Sequence, residues 1–132
     1  MKSLYDAVKF VASLVSATRT VDGDGAAVDT KGFNSAVAVI QAGDIDLANA
    51  DETYAFKVQE GALADSSDMA DVTGLTTTVT ADSQTKLIRI EGLGTTRKRY
   101  LRVVLDVGGT TPSIPCSAVI ALGNAYQEPV NA

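Results

Sequence analysis

The sequence predicts an all-β fold: an antiparallel β-sandwich with an N-terminal arm or short helix, a jelly roll being one topology that fits. Three observations predict it. Short runs of β-branched and alternating residues recur along the chain, with Gly- or Asp/Ser-rich turns about every ten to fifteen residues. The last third reads as two such runs, 99–107 and 117–123, joined by Gly108-Gly109-Thr110-Thr111-Pro112, which is how an antiparallel pair is written. No helical segments separate the runs, which excludes a parallel sheet built on crossover helices.

Taken in order, residues 1–13 form the arm or short helix. Leu4, Ala7, Val8, Val11, Leu14 and Val15 fit helical spacing, with Phe10 off that face. The competing reading is an extended arm entering a first strand over 14–21. Gly23-Asp24-Gly25 is a turn. Ala36 to Ile40 is apolar on both faces, which predicts a central strand covered above and below. Residues 43–53 form an acidic loop. Tyr54, Phe56 and Val58 alternate with Ala55, Lys57 and Gln59, as in a strand with one buried face. Residues 61–74 read as a loop anchored by Met69 and Val72, and Thr76 to Thr80 as an edge strand. Leu87 to Ile90 is a further strand, closed by Gly92-Leu93-Gly94. In 99–107, Arg99, Leu101, Val103, Leu105 and Val107 share one face, and Tyr100, Arg102, Val104 and Asp106 the other. The sandwich domain is thus 14–123, and 124–132 is an extended or disordered tail.

A chain of 132 residues suits one domain. It is 45% hydrophobic but only 5% aromatic, with no Trp, so its core is built from small aliphatic residues and close backbone approach. A net charge of −5 argues against nucleic acid, whose binding rests on neutralising phosphates with Lys and Arg, and against an anionic membrane. No apolar stretch approaches the ~20 residues of a membrane span. Asp6 and Lys9 interrupt the short apolar run near the start, so a cleaved leader is not expected. Cys116 stands alone, so no intrachain disulfide forms, and a buried thiol is expected there.

The chain has no His, which removes Ser–His–Asp and Cys–His nucleophile sets and any imidazole metal site. Asp22-Gly23-Asp24-Gly25 begins like a calcium loop, but Ala26 and Phe33 fall where the fifth and twelfth positions need oxygen ligands. Asp44 with Asp46, and Asp65 with Asp68 and Asp71, read as acidic surface loops before they read as a cation site. Gly92-Leu93-Gly94-Thr95-Thr96-Arg97 lacks the Gly-Lys-Ser/Thr ending of a phosphate cradle and is a turn between strands. The sequence therefore assigns no catalytic residue, no cofactor and no metal ligand. Its one notable polar feature is Arg97, Lys98, Arg99 and Arg102, the only basic cluster in an acidic chain. Three readings stand: a nucleic-acid contact, which the acidic chain disfavours, an electrostatic contact to an acidic protein surface, or a solvated strand end balanced by nearby carboxylates.

A series of strands and glycines spans nearly the whole chain. Leu4-Tyr5 opens it, and Gly25, Val28-Asp29 and Gly32-Phe33 follow. Ala36 to Ile40 ends at Gly43; then come Phe56-Lys57-Val58-Gln59-Glu60, Asp71-Val72, Lys98 to Leu105 and Ala118 to Gly123. The series resembles small structural proteins of tailed-bacteriophage heads, the capsid decoration or cement proteins. That resemblance implies a virion protein on the outer capsid surface, made in the host bacterial cytoplasm. Its implied partners are the major capsid protein and further copies of itself, a trimer being favoured, with no nucleic acid and no membrane. It brings no catalytic residue. Leu4, Tyr5, Val8, Phe10 and Val11 of the arm, with Arg97, Lys98, Arg99 and Arg102, are the expected partner contacts. Alternatives from other classes are a head–tail connector or tail component, and a carbohydrate-binding or host-recognition module. The shortage of aromatics for sugar stacking weighs against the last.

Overall fold

One long antiparallel hairpin, wrapped on itself, organises the chain. The structure, a computed structural model, describes residues 3–131. A helical turn α1 (Leu4–Ala7) precedes β1 (Lys9–Arg19), β2 (Gly23–Asp24), β3 (Val28–Asp29) and β4 (Phe33–Ala42). Then follow β5 (Thr53–Gly61), β6 (Ala70–Val79), β7 (Thr85–Ile90), β8 (Tyr100–Gly108) and β9 (Ile114–Ala125). β5 pairs with β6 at the closed end of the hairpin. Moving outward, β4 pairs with β7, β2 and β3 with β8, and β1 with β9, all antiparallel. Wrapping this ribbon yields two sheets, β1-β9-β4-β7 and β2-β8-β5-β6, with β3 also on β8. Counting β2 and β3 as one interrupted edge strand, this is the eight-stranded jelly roll.

The core lies between the sheets. Tyr54, Phe56 and Val58 of β5 and Leu101, Val103 and Leu105 of β8 are fully buried, as their alternation predicts. They face Ala38 and Ile40 of β4 and Ala118, Ile120 and Leu122 of β9. Two of these, Ala38 and Ala118, are alanines, so backbones approach closely there and the thin core fills without Trp. The Tyr54 hydroxyl is satisfied at one end of this core. It donates to the Asp46 carbonyl at 2.5 Å and accepts from the Ser113 N–H at 2.9 Å. Cys116 is buried, and burial pushes its thiol pKa up.

Three expectations need correction. First, helical spacing over 4–15 yields only the single turn α1, capped by the Ser3 hydroxyl accepting from the Asp6 N–H at 3.2 Å. The strand starts at Lys9, so 9–13 belong to the sandwich. Register shifts against β9 fall between Ala12 and Leu14 and again between Leu14 and Ala17. Such bulges place Ser13 and Leu14 both inside, and the broken alternation imitates a helix. Second, 70–74 belong to β6. The ladder with β5 slips by three residues around Gly74, whose φ of +85° suits glycine, and this hides the strand's period. Third, the tail is tied down. The Tyr126 N–H donates to the Gly32 carbonyl, the Val130 N–H to the Asp6 carbonyl, and the Asn131 amide to the carbonyls of Tyr5 and Val8.

Ser13 joins the two sheets. Between β2 and β3 the edge pairing on β8 lapses, and the Val103 N–H there meets the Ser13 hydroxyl at 2.9 Å. That hydroxyl donates to the Ala26 carbonyl at 2.9 Å, while the Gly25 N–H donates to the Val103 carbonyl at 2.8 Å. Only glycine fits at 25: a Cβ would lie 2.6 Å from the Val103 oxygen and 2.9 Å from the Ser13 carbonyl carbon. Ser13→Ala leaves a buried N–H unpaired, with an expected loss of about 2 kcal/mol and a fall in Tm of about 7 °C. Gly25→Ala is expected to cost more. Ser16→Ala, exposed on the same strand, should stay within about 0.5 kcal/mol in the same melts.

Candidate functional site

At one end of the sandwich, five segments converge: α1, the tail, the turn at 30–32, the β5–β6 loop and the β7–β8 loop. Leu4 and Tyr5 are each 68% exposed and Phe10 59%. Together with Val8 and Asn131 they line a hollow of about 360 Å³. The tail's hydrogen bonds to Tyr5, Asp6 and Val8 hold this apolar arm in place, so its contact groups are presented already ordered. Beside it runs a groove of about 540 Å³ lined by Lys9, Val130, Phe33 and Tyr126 among others. Phe33 and Tyr126 also line the next hollow, about 280 Å³, whose far wall carries Arg97 and Arg99. The sandwich therefore brings both halves of the sequence-predicted contact set to one end, and Tyr126, 66% exposed, stands between them.

The basic cluster does not form a free positive patch. Arg99 makes a bidentate pair with Asp29, both contacts 2.8 Å, and lies over the Tyr100 ring at 5.1 Å. Arg97 Nε sits 3.4 Å from Glu60, and Arg102 donates to Gln59 at 2.8 Å with Asp24 at 3.9 Å. Lys98 is exposed, and the Asp68 carboxyl is held low first by the Ala62 N–H and only last by the Lys98 charge. These ties favour the reading in which the strand end balances neighbouring carboxylates. Among the arm residues, Val11 faces inward and packs against the core, so it is not available as a contact.

The acidic loops are internally employed. Asp68 accepts the N–H groups of Ala62 and Leu63, Asp65 that of Ser67, and Asp71 bonds Gln59 and Lys57. Among the described residues, no three His, Cys, Asp or Glu side chains gather where they would hold a metal ion. At the opposite end, burial and then a hydrogen bond with Asp51 raise the Glu52 pKa, while Asp51 is held low by Thr110. Glu52 lines none of the hollows described here.

Phe33, Tyr126 and Asn131 were not among the sequence-predicted contacts. Tyr126 and Asn131 lie in a stretch that reads as tail, and the pairing of Phe33 with Ala125 together with the tail's hydrogen bonds brings them to the arm. Among the described residues, no helix is long and apolar enough to cross a membrane. No protein-family model matches the chain, and no curated protein sequence matches it.

The Arg99 hydrogen bonds hold the Asp29 carboxyl down at about 2, well below its ordinary 3.8. A lowered folded-state pKa contributes stability above the ordinary value and loses it as pH falls through the folded one. The pair is half exposed, so solvent screening keeps its contribution small. Urea midpoints should therefore fall more steeply for the wild type than for Asp29→Asn between about pH 4 and pH 2. Parallel acid limbs would show the pair to be inert.

Proposed function

We propose that this chain is a structural virion protein that adheres to the outer surface of a phage capsid and stabilises the shell, acting without catalysis. The major capsid protein would be its partner, and it would act as a homo-oligomer, with a trimer favoured. The observation that carries this reading is the arm end: exposed Leu4, Tyr5 and Phe10, pre-ordered by the tail on a rigid jelly roll. The strand-and-glycine resemblance supplies the phage context. Jelly rolls serve in viral capsids and lectins alike, so the fold adds only analogy. A small apolar contact suffices for such a role, because copies joined in an oligomer engage a repeating lattice together and raise the effective affinity. Binding only the assembled shell then stabilises it by linkage.

A carbohydrate-binding module is the second reading, favoured by the exposed Tyr126 standing over the groove beside Phe33. Glycan-array signal abolished by Tyr126→Ala would promote it.

The double variant Leu4→Ser, Tyr5→Ser separates contact from packing, because both side chains are exposed and lie off the sheet faces. It should melt within a few degrees of the wild type, yet lose at least about tenfold in co-sedimentation with expanded phage heads, since each truncation removes apolar contact area. Undiminished shell binding by this variant, or absence of the wild-type chain from purified virions, would reject the proposal.

A further inference from the structure

The two outer sheet faces differ in kind. On β2-β8-β5-β6 the outward positions carry charge tied into pairs: Lys57 lies 3.3 Å from Asp71 and 3.2 Å from Asp106, and Arg102 bonds Gln59. This is how a strand face lives in water. The outer face of β1-β9-β4-β7 has no such lacing. Its register aligns Phe10, Ala121, Val37 and Arg89 in one row, and Ala12, Val119, Val39 and Leu87 in the next. The inward alternates Ala38, Ile120 and Ile88 fill the core, so these two rows point away from it; Phe10, Ala12, Leu87 and Arg89 are exposed, the valines half-buried, and Ala121 is covered by its neighbours. Leu87 is 64% exposed. The sequence predicts β4 covered on both faces, yet the described chain covers only one.

We infer that the outer face of the β1-β9-β4-β7 sheet is the surface through which copies of this chain associate. Charge argues for a second copy as the occupant. Each molecule carries 16 carboxylates and a net charge of −5, so two copies repel over most approaches. The two aligned rows hold no carboxylate and a single charge, Arg89, at the sheet edge where it pairs with Glu91 at 3.7 Å. Glu91, the carboxylate beside these rows, is tied to that arginine, so two copies meet here with fewer opposing acids than over the rest of the surface. Area agrees. The whole outer face, the two rows with the uncharged row of Thr85, Gln41 and Ser117 and the strand ends, spans roughly 600 Å² in projection at about 4.8 Å strand spacing and about 3.3 Å per residue. Side-chain relief and Phe10 at the corner bring that near the ~800 Å² per partner of a stable interface. Sheet-on-sheet packing at about 10 Å is already how the chain builds its own core.

This inference rests on the homo-oligomer part of the proposed function, replaces the favoured trimer with a two-fold pair, since one face packed on itself closes at two copies, and fails separately from the shell-binding role. Sedimentation of the full chain from nanomolar to submillimolar concentration provides the test. The wild type should be oligomeric. Leu87→Asp and Ala12→Asp, both at exposed positions, should weaken association by about 30-fold or more, as a hot-spot loss does. Thr78→Asp, exposed on the other sheet, should leave it unchanged. A monomeric wild type would overturn the inference, as would face variants that associate normally. A monomer whose shell binding is lost in Leu87→Asp would also overturn it and give this face to the capsid. An oligomer disrupted by these variants, but without affinity for shells, would uphold the surface and reject the proposed function instead.

Discussion

Everything in this fold depends on how one ribbon closes over itself, and that closure is fastened where Ser13 reaches from β1 to β8. A jelly roll brings its two sheets together mainly by apolar contact, which is strong but not directional. Direction comes from polar groups that must find partners once buried. The gap between β2 and β3 exposes one such group, the Val103 N–H, toward the opposite sheet. A bulge in β1 supplies the hydroxyl that meets it, and a glycine at 25 leaves room for both chains. Three local departures from regular strand geometry thus combine into one cross-sheet tie. The tie sets how β1 lies on the body, and β1 in turn carries the arm.

From that position the surface divides into regions of different character. The outer face of β2-β8-β5-β6 is dressed with ion pairs whose net worth at exposed positions is small. Their effect is solubility and the absence of competing contacts. The outer face of β1-β9-β4-β7 is nearly uncharged. The arm end presents apolar and aromatic side chains on a backbone already fixed by the tail. The proposed adhesive role would use this separation: one surface for water, one for its own kind, and one for a partner. The buried carboxyl of Glu52 lies at the other end, in the loop held by Thr110 and Asn49, where it braces a turn.

Much of the architecture was legible in the sequence, because strand alternation in β5, β8 and β9 is regular and one face of each is apolar. Tyr54, Phe56 and Val58 could be placed inside from period alone. Legibility failed where geometry departs from period two. Two bulges in β1 made Leu4 to Val15 imitate a helix, and the slip around Gly74 made part of β6 read as loop. The tail was opaque for another reason. Its order comes from bonds to Tyr5, Asp6 and Val8, more than a hundred positions away in sequence. The same distance hid Tyr126, the residue that links the arm to the arginines. Pairing of Arg99 with Asp29 was foreseen only as a general balance of charge, since the partner is set by β3 and β8 meeting edge to edge.

Native-state hydrogen exchange, read residue by residue, tests the cross-sheet fastening most directly. The Val103 and Gly25 amides, though bordering an interrupted edge strand, should exchange only through global unfolding, as slowly as the amides of central β5 and β9. Exchange of these two at the rate of the 62–69 loop would show that the sheets are not joined at Ser13, and the rigid adhesive body built on that joint would have to be abandoned.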